Sequence, residues 1–221
     1  MPRIPIADTS PARSIRLGRL AAAWLLPSLL SVATVVAGDW PQILGEQRNG
    51  IAPSEKLAES WAATGPRGLW NRPIGSGFSG VAVATGRVFI FDRQEDQERV
   101  TAVAADTGKQ LWQSSFKANF VPAYVNDNGP RCVPTVHGNR VVVFGAQGGL
   151  HCLDVKTGKT VWSHDTMALF NSKRSFRGEP PEGYFGKGSS PVVLDGLVIV
   201  NTGGAEKNAG VVAFSLADGK L

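Results

Sequence analysis

Cysteine and histidine are scarce in this chain, which has two cysteines and three histidines among 221 residues. The cysteines are not adjacent, and no histidine stands at metal-ligand spacing from another. We therefore interpret His137, His151 and His164 as turn and strand-surface residues and predict no metal site. These residue types give no assignable catalytic residue, so the catalytic residues stay unknown.

Basic residues exceed acidic ones by little outside the N-terminus. The chain carries 23 Lys and Arg against 18 Asp and Glu, a formal net charge of +5. Four arginines and one aspartate fall within residues 1–38, which leaves 19 basic and 17 acidic residues for the remainder. No basic stripe is interleaved with aromatic residues in the predicted strands. Nucleic-acid binding is therefore excluded.

Residues 1–38 have the composition of a secretory signal peptide. Four arginines precede an apolar stretch over 20–38 that contains no charged residue and ends in small residues. We expect cleavage after Ala37 or Gly38 and an exported protein, periplasmic or extracellular. An uncleaved membrane anchor is the alternative, because the stretch approaches the length that spans a bilayer. Pro27 in its middle favours cleavage.

A turn-forming sequence recurs three times. TGKQLW at 107–112 is followed by TGKTVW at 157–162 and DGKL at 218–221, and the glycines stand 50 and 61 residues apart. This spacing is typical of a repeat protein. Short β-branched runs bounded by Gly, Asp and Asn precede each copy and indicate strands. Four strands per repeat of about 40–50 residues indicate β-propeller blades.

We predict an all-β fold, an incomplete β-propeller of four-stranded antiparallel blades with about three of an expected seven or eight. Residues 39–68 are a lead-in segment and 69–221 a partial propeller, with an orphan outer strand at 69–74 and blades at 79–116, 131–166 and 189–221, the last incomplete. The blade strands are expected at 79–84, 87–92, 100–105 and 110–116; at 131–136, 140–144, 150–155 and 160–164; and at 190–194, 197–201 and 211–216. The partners of the orphan strand would lie beyond Leu221. We therefore expect a fragment that needs missing blades or self-association to close its ring.

The repeated residues have predicted structural roles. Gly108, Gly158 and Gly219 are expected to adopt positive φ in the turn before the outermost strand. Trp112 and Trp162 should open that strand and pack between neighbouring blades.

The two cysteines fall on different strands of the second blade. Cys132 lies on its first predicted strand and Cys152 on its third, so they are separated by about twice the ~4.8 Å strand spacing. That separation exceeds the reach of a disulfide. We expect two small, buried thiols.

The repeats resemble those of pyrroloquinoline-quinone (PQQ)-type propellers, the quinoprotein alcohol dehydrogenase-like superfamily. Their signature is A-x-D-x-x-T-G-K-x-x-W, and the copy from Cys152 to Trp162 is the most similar, with cysteine in place of alanine. The first copy has Ala104 where the pattern has aspartate. DWPQ at 39–42 and LWNRPIG at 69–75 are similar to the start of secreted bacterial propellers related to the outer-membrane assembly propeller protein. The resemblance covers 39–221 and implies the fold more strongly than an activity, because enzymes and non-enzymes share the repeat.

The resemblance implies two functions. The preferred hypothesis is a non-catalytic binding or assembly scaffold in the cell envelope, with no cofactor. The alternative is a PQQ-dependent dehydrogenase. Dehydrogenases of the superfamily hold PQQ against adjacent cysteines, with calcium on a glutamate, an asparagine and an aspartate. No such cysteine pair is present, so PQQ with calcium is expected only if the ligands lie in missing blades. The assembly propeller itself is a third possibility, which the missing lipid-attachment cysteine disfavours.

The long crossings between predicted blades, 117–130 and 167–188, are where a ligand would bind, because long ordered loops are commonly functional. They carry aromatic and polar residues: Phe120, Tyr124, Asn126, Asp127 and Asn128, then Phe170, Lys173, Arg174, Phe176, Arg177, Tyr184, Phe185 and Lys187. Arg131, Tyr184 and Lys187 are the ligand-binding candidates, because they are nearest the innermost strands. An anionic or carbohydrate ligand, or an envelope protein, would suit them. The alternative is that these rings only cover the blade tops.

Two other motifs are interpreted as structural. The acidic run 92–98 is expected to be a solvated loop between two strands. The glycine-rich stretch 145–149 joins two strands and opens no helix, so it lacks the helix N-terminus that binds phosphate.

Overall fold

The computed structural model describes residues 38–52, 55, 58–124, 126–170, 183–203 and 209–221, and these residues form three antiparallel β-sheets. Blade one contains β1 (Ala82–Ala84), β2 (Arg87–Gln94), β3 (Gln97–Ala104) and β4 (Gln110–Lys117). Blade two contains β5 (Thr135–His137), β6 (Arg140–Phe144), β7 (Gly149–Asp154) and β8 (Thr160–Asp165), followed by the short helix α1 (Thr166–Phe170). Blade three contains β9 (Val192–Leu194), β10 (Leu197–Asn201) and β11 (Val211–Ser215).

Each sheet is a meander in which strands pair in chain order. The first strands β1, β5 and β9 lie beside one another. This is the arrangement of consecutive propeller blades, so the predicted incomplete β-propeller is confirmed. The predicted signal peptide lies almost wholly outside the described residues. No helix in the described ranges is long and apolar enough to cross a bilayer.

The first strand of each blade is shorter than the sequence predicts. Pairing begins at Thr135 in blade two and at Val192 in blade three, directly after Pro134 and Pro191. Proline has no amide hydrogen to donate to a ladder, which accounts for both starts. Residues 69–74 pair with no strand among the described residues, so the orphan outer strand expected there stays a prediction. The nearest pairing is a bridge between Ser76 and Arg93.

The second strands of blades two and three differ in burial. In β6 the consecutive residues Val141, Val142 and Val143 are all fully buried, because both faces of blade two are covered. In β10 burial alternates, with Val198 buried and Leu197 42% exposed. Burial of consecutive residues in β6 thus indicates a sheet packed on both sides, and alternating burial in β10 indicates a sheet packed mainly on one.

Tryptophan and glycine form the contacts between successive repeats. Trp70, Trp112 and Trp162 each donate a hydrogen bond through Nε1 to the next turn, at Ala105 O (2.8 Å), Val155 O (3.1 Å) and Leu216 O (3.0 Å). Each indole ring lies against the glycine of that turn, namely Gly108, Gly158 and Gly219. These glycines have φ of +67°, +71° and +73°. A Cβ placed on Gly158 would lie 2.5 Å from Trp112 Cε3, so the close approach of ring and turn requires glycine.

Candidate functional site

The blade crossings meet at the edge of the sheets opposite the tight Gly-Lys turns, and Arg131 lies within this region. Its guanidinium lies 4.9 Å from the Phe120 ring centroid and 5.5 Å from that of Phe78. Nη2 donates to Asp127 O at 2.8 Å, and Nη1 donates to Gly129 O. The side chain is 11% exposed. Arg131 therefore braces the first crossing and presents little of its charge to solvent.

The electrostatics of Arg131 follow from this burial. Burial lowers the pKa of the guanidinium, and the neighbouring carboxylates of Asp127 and Glu98 raise it. Asp127 Oδ1 lies 4.0 Å from Nη1. The same carboxylate accepts hydrogen bonds from Gly77 N at 2.8 Å and Gly129 N at 2.9 Å. Asp127 thus links the segment that enters blade one, at Gly77, to the crossing that leaves it, at Gly129.

Tyr184 and Lys187 belong to the described end of the second crossing. The Tyr184 ring lies 5.2 Å from that of Tyr124, and its carbonyl accepts a hydrogen bond from Ala123 N at 3.3 Å. Lys187 N donates to Ala146 O at 2.7 Å. The second crossing is therefore joined both to the first crossing and to the β6–β7 turn. The candidates Lys173, Arg174, Phe176 and Arg177 lie outside the described residues.

Four large apolar side chains around these candidates are exposed to solvent, and we call them the aromatic patch: Phe78 (63% exposed), Val121 (75%), Tyr124 (71%) and Phe185 (57%). Tyr124 contacts Phe185 at 6.1 Å between ring centroids. Exposed apolar groups that lie close together on a surface are typical of contact sites.

The acidic run beside this region is exposed only at its centre, over residues 94–97, which corrects the expectation that all of 92–98 is a solvated loop. Strands β2 and β3 continue to a tight turn, and Asp92, Arg93 and Glu98 are all less than 10% exposed. Arg93 Nη1 donates to Phe120 O at 2.8 Å and to Asn128 O at 3.0 Å. Arg93 and Arg131 therefore both hold the first crossing through hydrogen bonds to its backbone.

Glu98 joins blade one to blade two. Its Oε1 accepts a hydrogen bond from Ala146 N at 2.8 Å, in the glycine-rich β6–β7 turn. Burial raises the pKa of this carboxyl, while the Ala146 amide and the charges of Arg93 and Arg131 lower it. The net direction is upward, so the interior favours the neutral acid. A Cβ on Gly145 would collide with Glu98 Oε2, so a larger residue there would displace the Glu98 carboxylate.

Comparison with known proteins identifies the family of this chain. A family model described as outer membrane protein assembly factor BamB (PQQ_2) matches residues 96–221, more than half of the chain. The chain belongs to this PQQ-like propeller repeat family.

The curated relatives that the chain matches include alcohol dehydrogenases. The dehydrogenase subunit of the quinone alcohol dehydrogenase of Komagataeibacter europaeus is 37% identical over 134 residues, covering 54% of this chain and 16% of the relative. A quinohemoprotein alcohol dehydrogenase of Pseudomonas putida is 34% identical over 131 residues, covering 56% and 16%. The chain thus spans about one sixth of the length of the curated relatives it matches.

A solved structure shares the fold. The quinohemoprotein alcohol dehydrogenase from Comamonas testosteroni superposes with a TM-score of 0.53 at 22% sequence identity, covering 82% of this chain and 26% of that one. This likeness supports the propeller architecture and nothing more specific.

The residues described do not assemble the donors that PQQ with calcium would need. Cys132 and Cys152 are unpaired and fully buried, and burial raises the pKa of each thiol to about 12. Cys132 Sγ accepts a hydrogen bond from Phe144 N at 3.3 Å, within the core. The described ranges contain no group of three or more His, Cys, Asp or Glu side chains placed to hold a metal ion.

Two histidines are contacts between blades, where the sequence suggested surface positions. His151 is 9% exposed and stacks on Phe116 of blade one, with ring centroids 3.6 Å apart. Burial lowers its pKa to about 4, and Ser163 Oγ lies 2.7 Å from Nδ1. His164 stacks on Phe214 at 4.8 Å. Neither contact has a signal in the local sequence, because each depends on a residue of another blade.

Proposed function

We propose that this chain is part of an exported propeller that acts as a non-catalytic binding scaffold in the cell envelope. The aromatic patch is its docking surface, and the observation that supports the proposal is the exposure of these four side chains, three of which lie on the crossings. The partner is a protein that offers an apolar segment to the patch. The family model's description as an outer membrane protein assembly factor supports a protein partner.

The first crossing is held in place by hydrogen bonds, so a partner can bind to it without first ordering it. Arg93 and Arg131 hold the first crossing through hydrogen bonds to its backbone. A surface that is already ordered loses little conformational entropy when a partner docks. Exposed aromatic side chains are also the residues that most often dominate binding energy at protein interfaces.

A small anionic or carbohydrate ligand is the second form of this proposal. It would draw on Arg131, Tyr184 and Lys187. Because the Arg131 side chain is 11% exposed and bonded to its own loop, an anion would have to release it from those contacts. A protein partner that covers the aromatic patch needs no such rearrangement, and for this reason we prefer it.

The docking proposal is tested with a photocrosslinking amino acid placed at Phe185 or at Tyr124 of the full-length protein in its own cells. Trp61, which is 55% exposed and outside the patch, supplies the control position. We expect one envelope protein to crosslink from both patch positions and not from Trp61. Tyr124→Ala with Phe185→Ala should weaken binding of that purified partner about tenfold or more. Equal crosslinking from all three positions, or unchanged affinity, would refute the docking surface.

The alternative proposal is a PQQ-dependent dehydrogenase. It is supported by the 37% identity to a quinone alcohol dehydrogenase subunit. In that case the cofactor's ligands would be supplied outside the described residues. Addition of PQQ and calcium to the full-length protein separates the two functions, because the dehydrogenase alone would then reduce a dye in the presence of an alcohol.

A further inference from the structure

The lead-in segment lies along the first strands of the blades. Trp40 and Val83 of β1 exchange two backbone hydrogen bonds, from Trp40 N to Val83 O at 2.7 Å and from Val83 N to Trp40 O at 2.9 Å. The next residue, Pro41, accepts a hydrogen bond through its carbonyl from Val136 N of β5 at 2.7 Å. Two residues of the lead-in thus bridge blades one and two.

The same segment reaches blade three. Arg48 Nη1 donates to Pro191 O, directly before β9, at 3.3 Å, and to Gln42 Oε1 at 3.2 Å. The segment is folded on itself between these contacts. Gly45 N donates to Gln42 O at 3.0 Å, and the Trp40 ring packs against Gly45.

These contacts fall on edges that the sheets leave open. Each first strand pairs with its own second strand along one edge, and along its other edge it lies next to the first strand of the neighbouring blade without belonging to the same sheet. An open edge presents unpaired amide and carbonyl groups, which are a ready acceptor for an added strand. Here the amides of Val83 and Val136 already have acceptors in the lead-in.

We propose that residues 39–50 are a built-in occupant of the axial side of the blades. They cover the inner edges of blades one and two and are tied to blade three, so that an added strand or ligand must displace them to bind there. Asp39 accepts a hydrogen bond from Thr85 N at 3.1 Å in the tight β1–β2 turn, so the start of the segment lies at the end of blade one opposite the crossings, whereas Arg48 contacts blade three at the start of β9. A partner that docks on the aromatic patch does not have to displace the segment. This inference does not depend on whether the whole protein is a scaffold or an enzyme.

Amide hydrogen exchange of the unmodified chain gives the first test. The Val83 and Val136 amides should exchange as slowly as amides in the central strands, because the lead-in accepts both hydrogen bonds. Exchange at the rate of open edge amides would overturn the proposal. This measurement requires no variant.

A pair of glycine substitutions then distinguishes the effect of the Trp40–Gly45 contact from the effect of backbone strain. Gly45 (φ +80°) and Gly50 (φ +74°) both adopt left-handed backbone, but a Cβ on Gly45 would lie 2.9 Å from the Trp40 ring, whereas a Cβ on Gly50 would have no neighbour within 4 Å. Gly45→Ala should accelerate exchange at Val83 and Val136 about tenfold or more, and Gly50→Ala should change it little. Equal effects of the two substitutions, or an unchanged rate in Gly45→Ala, would refute the assignment.

Discussion

Replacement of Gly158 by alanine tests whether contacts between tryptophan and glycine hold the blades together. The added Cβ would lie 2.5 Å from Trp112 Cε3, about 1 Å inside ordinary carbon–carbon contact, so the ring must move. Alanine in left-handed backbone costs about 1–2 kcal/mol by itself. Displacement of the ring also endangers the hydrogen bond from Trp112 Nε1 to Val155 O, worth about 1 kcal/mol net. Partial loss of buried aromatic packing contributes about 1 kcal/mol more, well below the ~3–5 kcal/mol of complete truncation.

The matched control is Gly86→Ala. Gly86 has φ of +70°, almost identical to the +71° of Gly158, but a Cβ there would have no neighbour within 4 Å. Subtracting its effect leaves about 2 kcal/mol for the contact between blades, a difference of about 4–8 °C in melting temperature for a chain of this size. Thermal unfolding followed by circular dichroism measures both variants. Equal destabilisation would refute the role of the tryptophan contact, since only backbone strain would then matter.

Three further predictions concern buried groups. Burial raises the pKa of Glu98 in the folded chain, so its ionisation destabilises the fold as pH rises through that pKa. Urea unfolding at pH 7 should therefore find Glu98→Gln at least as stable as wild type. Glu98→Ala should be about 1–3 kcal/mol less stable, because the Ala146 amide loses its hydrogen-bond acceptor. Burial lowers the pKa of His151 from 6.5 to about 4, so the neutral ring's contribution to stability is complete above pH 6.5 and is lost as pH falls toward 4, by about 3 kcal/mol. In His151→Gln the free energy of unfolding should depend less on pH over this range. An unchanged pH dependence would contradict the assignment. The Cys132 thiol, with its pKa raised to about 12, should resist a thiol reagent at pH 8 until the protein unfolds, and rapid labelling of the folded chain would contradict its burial.

The elements of the blades could be predicted because their signals are local. A glycine in each turn and β-branched runs between turns define strands without reference to distant residues. The limits of the first strands were less predictable, because Pro134 and Pro191 remove donors within runs that otherwise favour pairing. The run at Val141–Val143 also gave no indication of which blade would be covered on both faces.

The candidate site could be located but not described from the sequence. The crossings were identifiable by their length and aromatic content, whereas the burial of Arg131 depends on Phe78 and Phe120, which come from different segments. Glu98 was misinterpreted because a run of acidic residues usually marks solvent. Glu98 is buried against blade two, where its carboxylate accepts a hydrogen bond from the amide of Ala146, 48 residues away in the sequence. Contacts between blades join residues that are far apart in the sequence, so no local pattern predicts them.

Reconstitution with PQQ and calcium tests the central claim of a non-catalytic scaffold most directly. The full-length protein, as its own cell makes it, is incubated with both and assayed for cofactor absorbance and for dye reduction with primary alcohols. A quinone alcohol dehydrogenase of known activity serves as the positive control. The scaffold account predicts no retained cofactor and no dye reduction above that of the free cofactor. Stoichiometric PQQ with alcohol-dependent dye reduction would contradict it and establish the dehydrogenase instead.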